Sequence, residues 1–448
     1  KDWKIYGEFN SRIENHNNTK HIAKISAIQP NGSSEFISAF SGYIPRIEAR
    51  NNGIFAITAP GQNYFEVQNG QVNYSGINLF TDYETAIGNH NLKFLVGLQT
   101  ELYKSNFSSL GTDNIDSDER PFISQNGQKF VYESKGEWSN IGVFARINYS
   151  YKDKYLLELN YRADGASRFP SNQRWGYFPS VSGAWNLSKE EFWSGLSETI
   201  NSFKIRGSWG ILGNQNTNSF YPYFQNMNIN NGNWVVNGDV PSQLPMPAPF
   251  STSITWEKIQ SYNYGFDISV FNNRLTATGD IYERKTKDMI GPAPIKPGTF
   301  GARVPRTNNA ELVSKGWELE VGWRDRISDD FSYNASFVLS DVESTVTKYS
   351  NPENIISVNG VDQFYEGKIL GEIWGYQSQG IAQSDLEMSN WLQNNQPNFG
   401  TDWEGGDMKY LDTNGDKLID GGAQRLGDSG DLKIIGNNTP RYSFGVNL

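Results

Sequence analysis

One short acidic segment, residues 412–420, has the residue types and the spacing that bind a hard cation. Oxygen donors fall at alternate positions around an Asn-Gly turn, four from side chains and one from the backbone: Asp412, Asn414, Asp416, the Leu418 carbonyl and Asp420. Calcium takes about six to eight oxygen ligands, and calcium-binding loops supply them from alternate residues in this way. The spacing therefore predicts bound Ca²⁺ (or Mg²⁺).

Two positions of this segment depart from the usual calcium loop. Lys417 occupies the sixth position, where glycine is usual, and Ala423 occupies the twelfth, where an acid usually closes the site. An Asn-Gly turn with solvated acids is therefore the alternative interpretation. The role expected for the cation is structural, as a clip on the long loop that contains the segment.

Aromatic side chains are the second group that could bind a ligand. They stand beside Asn and Gln residues in the same long stretch, residues 343–440. Aromatic rings among amides suit stacking on sugars and contact with a protein partner. Four of them are predicted substrate or partner contacts: Trp374, Tyr376, Trp391 and Trp403.

The residues that usually carry catalysis are scarce. The three histidines, His16, His21 and His90, each stand in an Asn-containing turn-like context, and the chain has no cysteine. No nucleophile elbow, HExxH motif or phosphate loop occurs. Glu318 and Glu320 share the polar face of one predicted strand, which favours a hydrated wall over a glycosidase pair. We predict that the protein is not an enzyme, and its net charge of −10 argues against nucleic acid as a partner.

Most of the chain alternates apolar and polar residues at every second position. In residues 141–151, Ile141 and Val143 lie on one face of the segment, and Arg146 and Asn148 lie on the other. A period of two predicts β-strands, and strands of about 10 residues with one wet face build membrane-spanning barrels. The hydrophobic content is 37%, and no run of about 18 apolar residues predicts a membrane helix.

About thirteen strands are predicted, near residues 3–12, 20–29, 73–86, 91–103, 141–151, 155–164, 177–187, 203–213, 256–270, 274–286, 312–324, 331–342 and 441–448. Their connections alternate between short and long, as in barrels with short periplasmic turns and long extracellular loops. The pattern predicts an all-β fold, a transmembrane antiparallel up-and-down β-barrel spanning residues 1–448, with 343–440 outside the cell. Segment 188–202 is the main helix candidate, a periplasmic connection without assigned function.

Several stretches resemble one family, the SusC/RagA-type TonB-dependent outer-membrane transporters. The similarity is densest at DKYLLELNYRADGASRFPSNQRWGYFPSVSGAWNL, residues 153–187. Further similar motifs follow in the same order along the chain, at residues 204–215, 254–290, 308–321, 366–383 and 405–420. Together they cover most of residues 141–448, whereas the first 140 residues match only in their alternating pattern.

The resemblance implies a barrel of about 22 strands filled by an N-terminal plug. The plug, the TonB-box segment and the last strands are expected outside residues 1–448, which makes this chain an internal portion of a larger transporter. Implied partners are a SusD-like surface lipoprotein that acts as a lid and the TonB-ExbB-ExbD motor, reached through the plug. The implied location is the outer membrane of a Bacteroidetes-like bacterium. Basic residues on the polar strand faces are expected to line the lumen or contact the plug: Arg146, Arg162, Lys204 and Arg206.

The resemblance also completes the cation site. Members of the family usually carry an acid directly before a stretch like R-T-I-I-G-N, and here Asp431 precedes residues 432–437. An insertion of about eight residues then separates Asp431 from the segment whose last ligand it supplies. For the four aromatic residues, the comparison favours contact with the lipoprotein over direct substrate binding.

The expected function is therefore import of glycan or peptide oligomers through an energised outer-membrane barrel embedded in lipid. Two other classes stay open at this stage. A passive porin-like channel would lack the plug and the TonB box. A secreted β-rich glycan-binding or adhesion protein would bury residues such as Ile147 and Leu157 between two sheets, and it would be extracted without detergent.

Overall fold

The computed structural model describes residues 2–28, 34–40, 48–50, 54–56, 64–113, 115, 120–124, 127–217, 219–224, 229–236, 238–244, 249–291, 298–300, 304, 306–358 and 360–448. Strands dominate these residues, and the long ones are β1 (Asp2–Ile28), β2 (Ser34–Phe40), β5 (Tyr64–Ile87), β6 (His90–Asp113), β7 (Lys129–Tyr151), β8 (Tyr155–Ala166), β9 (Trp175–Asn186), β10 (Ile200–Asn214), β13 (Glu257–Val270), β14 (Leu275–Ile290), β15 (Asn308–Arg326), β16 (Ser332–Lys348), β24 (Leu432–Asn437) and β25 (Tyr442–Asn447).

The remaining elements are short and lie in the connections between long strands. The short strands are β3 (Glu48–Arg50), β4 (Ile54–Ala56), β11 (Asn230–Asn231), β12 (Ser242–Gln243), β17 (Ser357–Val358), β18 (Val361–Asp362), β19 (Glu372–Tyr376), β20 (Ser378–Ile381), β21 (Gln396–Pro397), β22 (Met408–Tyr410) and β23 (Leu418–Ile419). Single 3₁₀ turns span Leu187–Lys189, Glu191–Trp193 and Gly298–Phe300, and one α-helix, α1, spans Asp385–Leu392. None of the described helices is long and apolar enough to cross a lipid bilayer.

The chain divides into two compact units. The larger unit contains Lys1–Ile5, Thr81–Gly97 and Val143–Leu448. Its strand segments follow one another as hydrogen-bonded neighbours in chain order: β1, β5, β6, β7, β8, β9, β10, β13, β14, β15, β16 and β25. The pairs for which the register is resolved are antiparallel throughout, from β8 with β9 to β16 with β25. This is the up-and-down order that the sequence predicts.

The smaller unit contains Tyr6–Phe80 and Leu98–Gly142. Its strand segments lie in the order β2, β1, β5, β6 and β7, and β1 pairs antiparallel with β2. Cross-strand amides join its strands: Nδ2 of Asn18 donates to Oε1 of Gln68 at 3.4 Å, and Nε2 of Gln71 donates to Oδ1 of Asn15 at 3.3 Å.

Register places the apolar alternate residues of the larger unit on one face. Ile205 of β10 lies opposite Trp185 of β9 and Phe266 of β13, and Trp185 lies opposite Tyr155 of β8. Such side chains stay open to the surroundings, since Leu157 is 41% and Phe337 39% exposed. A second sheet packed on this face would have buried them. The apolar face is therefore presented outward, which disagrees with a sandwich of two packed sheets.

Short and long connections alternate along the larger unit as predicted except around β9. There the connection predicted to be long, residues 167–174, has eight residues, and the one predicted to be short, residues 187–199, has thirteen. β5 and β6 are joined by Gly88 and Asn89, and the other short turns are residues 152–154, 271–274 and 327–331. Long connections include residues 215–256 and 349–441. The outer-loop region, defined here as residues 349–441, begins later than the predicted residue 343, because β16 continues to Lys348.

Two predictions about local structure were wrong. Residues 13–19, the short connection expected between predicted strands 3–12 and 20–29, form no turn, since β1 runs unbroken from Asp2 to Ile28 and the amide pairs of the smaller unit keep it extended. Segment 188–202 forms two single 3₁₀ turns instead of an α-helix. The helix that does form, α1, begins at a capping-box sequence: Oγ of Ser384 accepts the Glu387 N–H, and Oε2 of Glu387 reaches one residue beyond the N-cap to accept the Gln383 N–H.

Candidate functional site: the outer loop and the polar wall

The predicted cation segment folds as a tight turn held by its own carboxylates. Oδ1 of Asp412 accepts the Gly415 N–H at 2.6 Å, and Oδ2 accepts the Lys417 N–H at 2.8 Å. Asp416 Oδ1 accepts the Leu418 N–H at 2.8 Å. Lys417 adopts a φ of +70°, which explains why calcium loops favour glycine at this position.

Asp431 returns to this segment from eleven residues beyond Asp420, as the resemblance implies. Its carboxylate is fully buried, with 0% exposure. Oδ1 accepts the N–H of Thr413 at 2.6 Å and its hydroxyl at 3.2 Å, while Oδ2 accepts the Asp420 N–H at 3.1 Å. All three donors are uncharged, so the carboxylate holds the two ends of the turn together by hydrogen bonds alone.

The oxygen ligands of this segment are of the type that a cation prefers, but they are not arranged closely around one point. Oxygen ligands of the right kind converge on one turn, and the buried charge of Asp431 is one that a cation would stabilise. Asp420 is otherwise engaged, because its Oδ1 accepts the Gly422 N–H at 2.8 Å. Over the described ranges, no three histidine, cysteine, aspartate or glutamate side chains come close enough together to hold a metal ion. The cation site stays a prediction.

Three of the four predicted aromatic contacts share one cluster in the outer-loop region. Tyr376 stacks on Phe399 with ring centroids 4.9 Å apart, and Phe399 meets Trp403 edge-on at 5.8 Å. Trp391, on α1, lies 6.4 Å from Trp403 at the margin of the cluster. The rings largely cover one another, so much of their surface serves the packing of the loop.

Trp374 belongs to a different group, which sequence reasoning missed. Its indole N–H donates to the Tyr365 hydroxyl at 3.2 Å, and that hydroxyl donates to Oε2 of Glu372. Burial, followed by the hydrogen bond to Glu372, raises the pKa of Tyr365, so the phenol stays a neutral donor at every physiological pH. Lys368, 5% exposed, lies over the rings of Phe364 and Tyr365. The group is formed within residues 364–374, but no recognised sequence motif predicts it.

The polar face of the larger unit lines a cavity of about 750 Å³. Acidic and basic residues from four strands line it: Glu84, Lys93, Glu158, Lys204 and Arg206. Lys204 and Arg206 therefore lie on the wall where the sequence placed them. The other two predicted basic residues are paired nearby, since Nε of Arg146 donates to Oδ1 of Asn160 at 2.6 Å and Nε of Arg162 donates to Asp164 at 2.8 Å.

Ion pairs across strands neutralise much of this wall. The guanidinium of Arg206 makes a two-fold contact with Asp280, both N–O distances being 2.6 Å. Nζ of Lys204 lies 2.9 Å from Oδ2 of Asp267. The charges of Arg206 and Asp280, and of Lys204 and Asp267, therefore balance one another along this wall.

Comparison with known proteins agrees with this architecture. The family model described as TonB dependent receptor-like, beta-barrel, matches residues 12–444. TonB-dependent receptor P3 of Formosa agariphila is 28% identical over 403 residues, covering 86% of this chain and 38% of the relative. TonB-dependent receptor SusC of Bacteroides thetaiotaomicron is 26% identical over 299 residues, covering 66% of this chain and 29% of the relative.

Among solved structures, the RagAB peptide transporter matches with a TM-score of 0.73 and 17% identity, covering 99% of this chain and 43% of that chain. This likeness concerns the fold. The chain spans about two fifths of the length of P3 and of the matched RagAB chain. The named relatives are receptors and not enzymes, and a family of outer-membrane barrels accounts for the apolar outward face, the polar wall and the alternating connections. This chain belongs to the TonB-dependent receptor-like β-barrel family.

Proposed function

We propose that this chain forms part of the barrel of a SusC-like TonB-dependent transporter that imports oligomers into a Bacteroidetes-like bacterium. The observation that carries the proposal is the family match over residues 12–444, together with the relative named SusC. In this function the apolar strand face meets outer-membrane lipid, and the polar wall borders a hydrated path.

The same comparison supports the proposed partners. A SusD-like lipoprotein is the proposed lid over the long loops, with the outer-loop region and its aromatic cluster as the contact surface on this chain. The TonB-ExbB-ExbD motor supplies energy through a plug encoded elsewhere in the full-length protein. Peptide oligomers are one proposed substrate class, supported by the shared fold with the RagAB peptide transporter, and oligosaccharides are the other.

Uptake by whole cells tests this function. Cells with and without the full-length receptor are given two probes, a fluorescein-labelled tryptic digest of casein and a fluorescein-labelled dextrin. We expect uptake of one probe to require the receptor and to stop when an uncoupler collapses the proton-motive force. Uptake that survives the uncoupler indicates a passive channel. Label that stays at the surface, or uptake of neither probe through the receptor, contradicts import.

We also propose that residues 412–420 and Asp431 bind Ca²⁺ as a structural clip. Isothermal titration of the EDTA-treated full-length protein with CaCl₂ should give a Kd on the order of 10⁻⁴ M, which is usual for extracellular calcium modules. Replacing Asp416 with asparagine should weaken binding about tenfold, because one charged ligand is lost. Glu366→Gln, which removes an exposed acid elsewhere in the same loop region, should leave the Kd unchanged. The absence of calcium-dependent heat would contradict the site.

A further inference from the structure

The connection between β9 and β10, residues 187–199, is the most structured of the short-turn rim. Backbone hydrogen bonds tie both ends of it to neighbouring turns of that rim. The Asn186 N–H donates to the Lys154 carbonyl at 2.7 Å, and the Phe271 N–H donates to the Thr199 carbonyl at 2.9 Å. The connection is therefore a fixed part of the rim, and its own side chains decide what it does there.

The connection folds onto the apolar face of the sheet. Trp193 is 8% exposed and stacks on Phe203, with ring centroids 5.6 Å apart and an interplanar angle of 21°. Phe203 alternates with Ile205 on the outward face of β10. The indole N–H of Trp193 donates to the Ile200 carbonyl at 3.1 Å, so its polar atom is satisfied while its ring covers the strand.

A carboxylate fixes the connection from its other side. Oε2 of Glu190 accepts from Nζ of Lys154 at 2.9 Å, and Oε1 accepts the indole N–H of Trp185 at 3.0 Å. The hydrogen bond from Lys154, followed by that from Trp185, lowers the pKa of Glu190 to about 2. A lowered pKa means that the contact is complete above the ordinary pKa and is lost only as the pH falls toward 2, so it is intact at any periplasmic pH.

Two large apolar side chains of this connection point away from the protein. Phe192 is 64% and Leu196 48% exposed. We propose that residues 187–199 lie in the headgroup region of the periplasmic leaflet, with Phe192 and Leu196 inserted between phospholipid chains. The proposal goes beyond the transport function and rests on the barrel family and on the periplasmic side predicted for the short turns.

The connection continues the lipid-facing surface of the strands, which favours lipid over a protein as the partner of Phe192 and Leu196. Trp193 and Phe203 extend the apolar face to the rim, and Tyr155 stacks on Trp185 at 6.2 Å beside them. Tyr and Trp at a membrane border, with polar ends satisfied and rings in the apolar layer, are typical of barrel girdles. Burial of large apolar side chains in lipid is favourable, so it would stabilise the connection in this position.

Spin-label accessibility in phospholipid nanodiscs tests the proposal on the full-length protein. The 448 residues contain no cysteine, so each introduced thiol is unique in this part of the protein. The test positions are Phe192→Cys and Leu196→Cys. Leu157→Cys on the outward strand face is the lipid control, and Leu386→Cys, on α1 and 72% exposed, is the water control.

Labels at both test positions should be more accessible to oxygen than to a water-soluble nickel chelate, at a depth of about 5–10 Å. Chelate accessibility equal to that of the Leu386 control overturns the proposal. So does a label that is aqueous in nanodiscs and shielded only in whole cell envelopes, because this result identifies a periplasmic protein as the occupant. An aqueous Leu157 control would instead refute the barrel and the transport function with it.

Discussion

Replacing Asp431 with alanine should raise the local opening equilibrium of residues 412–422 by about 30- to 1000-fold, equivalent to about 2–4 kcal/mol. The Asp431 carboxylate is fully buried and receives N–H groups from Thr413 and Asp420. Its removal leaves the partly buried N–H groups of Thr413 and Asp420 without an acceptor. Each such loss costs about 1–3 kcal/mol.

Hydrogen–deuterium exchange on the full-length protein measures this effect. EDTA is present throughout, which separates the hydrogen-bonding role from any bound cation. Asp428→Ala is the matched control, since Asp428 is an exposed acid three residues away, and it should leave exchange of residues 412–422 unchanged. In Asp431→Asn, the exchange rate of residues 412–422 should lie between the rates of these two alanine variants. The new amide keeps one acceptor oxygen but turns an N–H toward the other donor. Equal exchange in Asp431→Ala and Asp428→Ala would contradict the role assigned to Asp431.

Alternation of apolar and polar residues was enough to predict the strands and their order from β5 onward, whereas predicted strands 3–12 and 20–29 are the single strand β1, and β2 was not predicted. The face of the sheet on which a residue lies depends only on the period of two, and this period can be read directly from the local sequence. The sequence wrongly predicted a turn at residues 13–19, because Asn-rich segments are typical of turns. Partners on another strand, Gln68 and Gln71, satisfy those amides in an extended chain. Such partners lie about fifty residues away and leave no local trace.

In the candidate site, too, local features could be predicted from the sequence and contacts made by the fold could not. Spacing within residues 412–420 predicted a cation-binding loop, with an Asn-Gly turn as the alternative. The structure shows a turn whose N–H groups are accepted by Asp412 and Asp416, and the cation stays a prediction. Trp374 could not be separated from Tyr376 by sequence, because only the fold places Tyr365 and Glu372 beside one of them and Phe399 beside the other. The capping box at Ser384 and Glu387 is, in contrast, a local signal that a search for S-x-x-E would have found.

Replacing Gly265 with alanine should destabilise the barrel by about 2–4 kcal/mol, although alanine normally stabilises a strand relative to glycine. Gly265 lies on β13 directly between Arg206 of β10 and Asp280 of β14. The guanidinium reaches its carboxylate by passing over this glycine. A Cβ atom at Gly265 would lie 2.6 Å from Oδ1 of Asp280 and 2.8 Å from Cζ of Arg206.

The cost has two sources, namely overpacking at the new methyl group and loss of the two-fold contact between the charges. Asp280 retains only 16% side-chain exposure and Arg206 31%, so water replaces the lost contact incompletely. Gly183→Ala on β9 is the matched control, because a Cβ atom there would meet its nearest neighbour, the Leu156 carbonyl oxygen, at 3.8 Å. It should be neutral or slightly stabilising.

Urea unfolding of the full-length protein in detergent, followed by loss of the folded band on an unheated gel, measures the difference. Arg206→Gln should be destabilising by a similar amount, since it leaves Asp280 without its cation. Adding Asp280→Asn to Arg206→Gln should recover most of the loss, because the uncompensated charge is gone. Equal midpoints for Gly265→Ala and Gly183→Ala would show that the Arg206–Asp280 contact contributes little. If the double variant unfolds at a lower urea concentration than Arg206→Gln alone, the loss of stability comes from packing and not from the uncompensated charge.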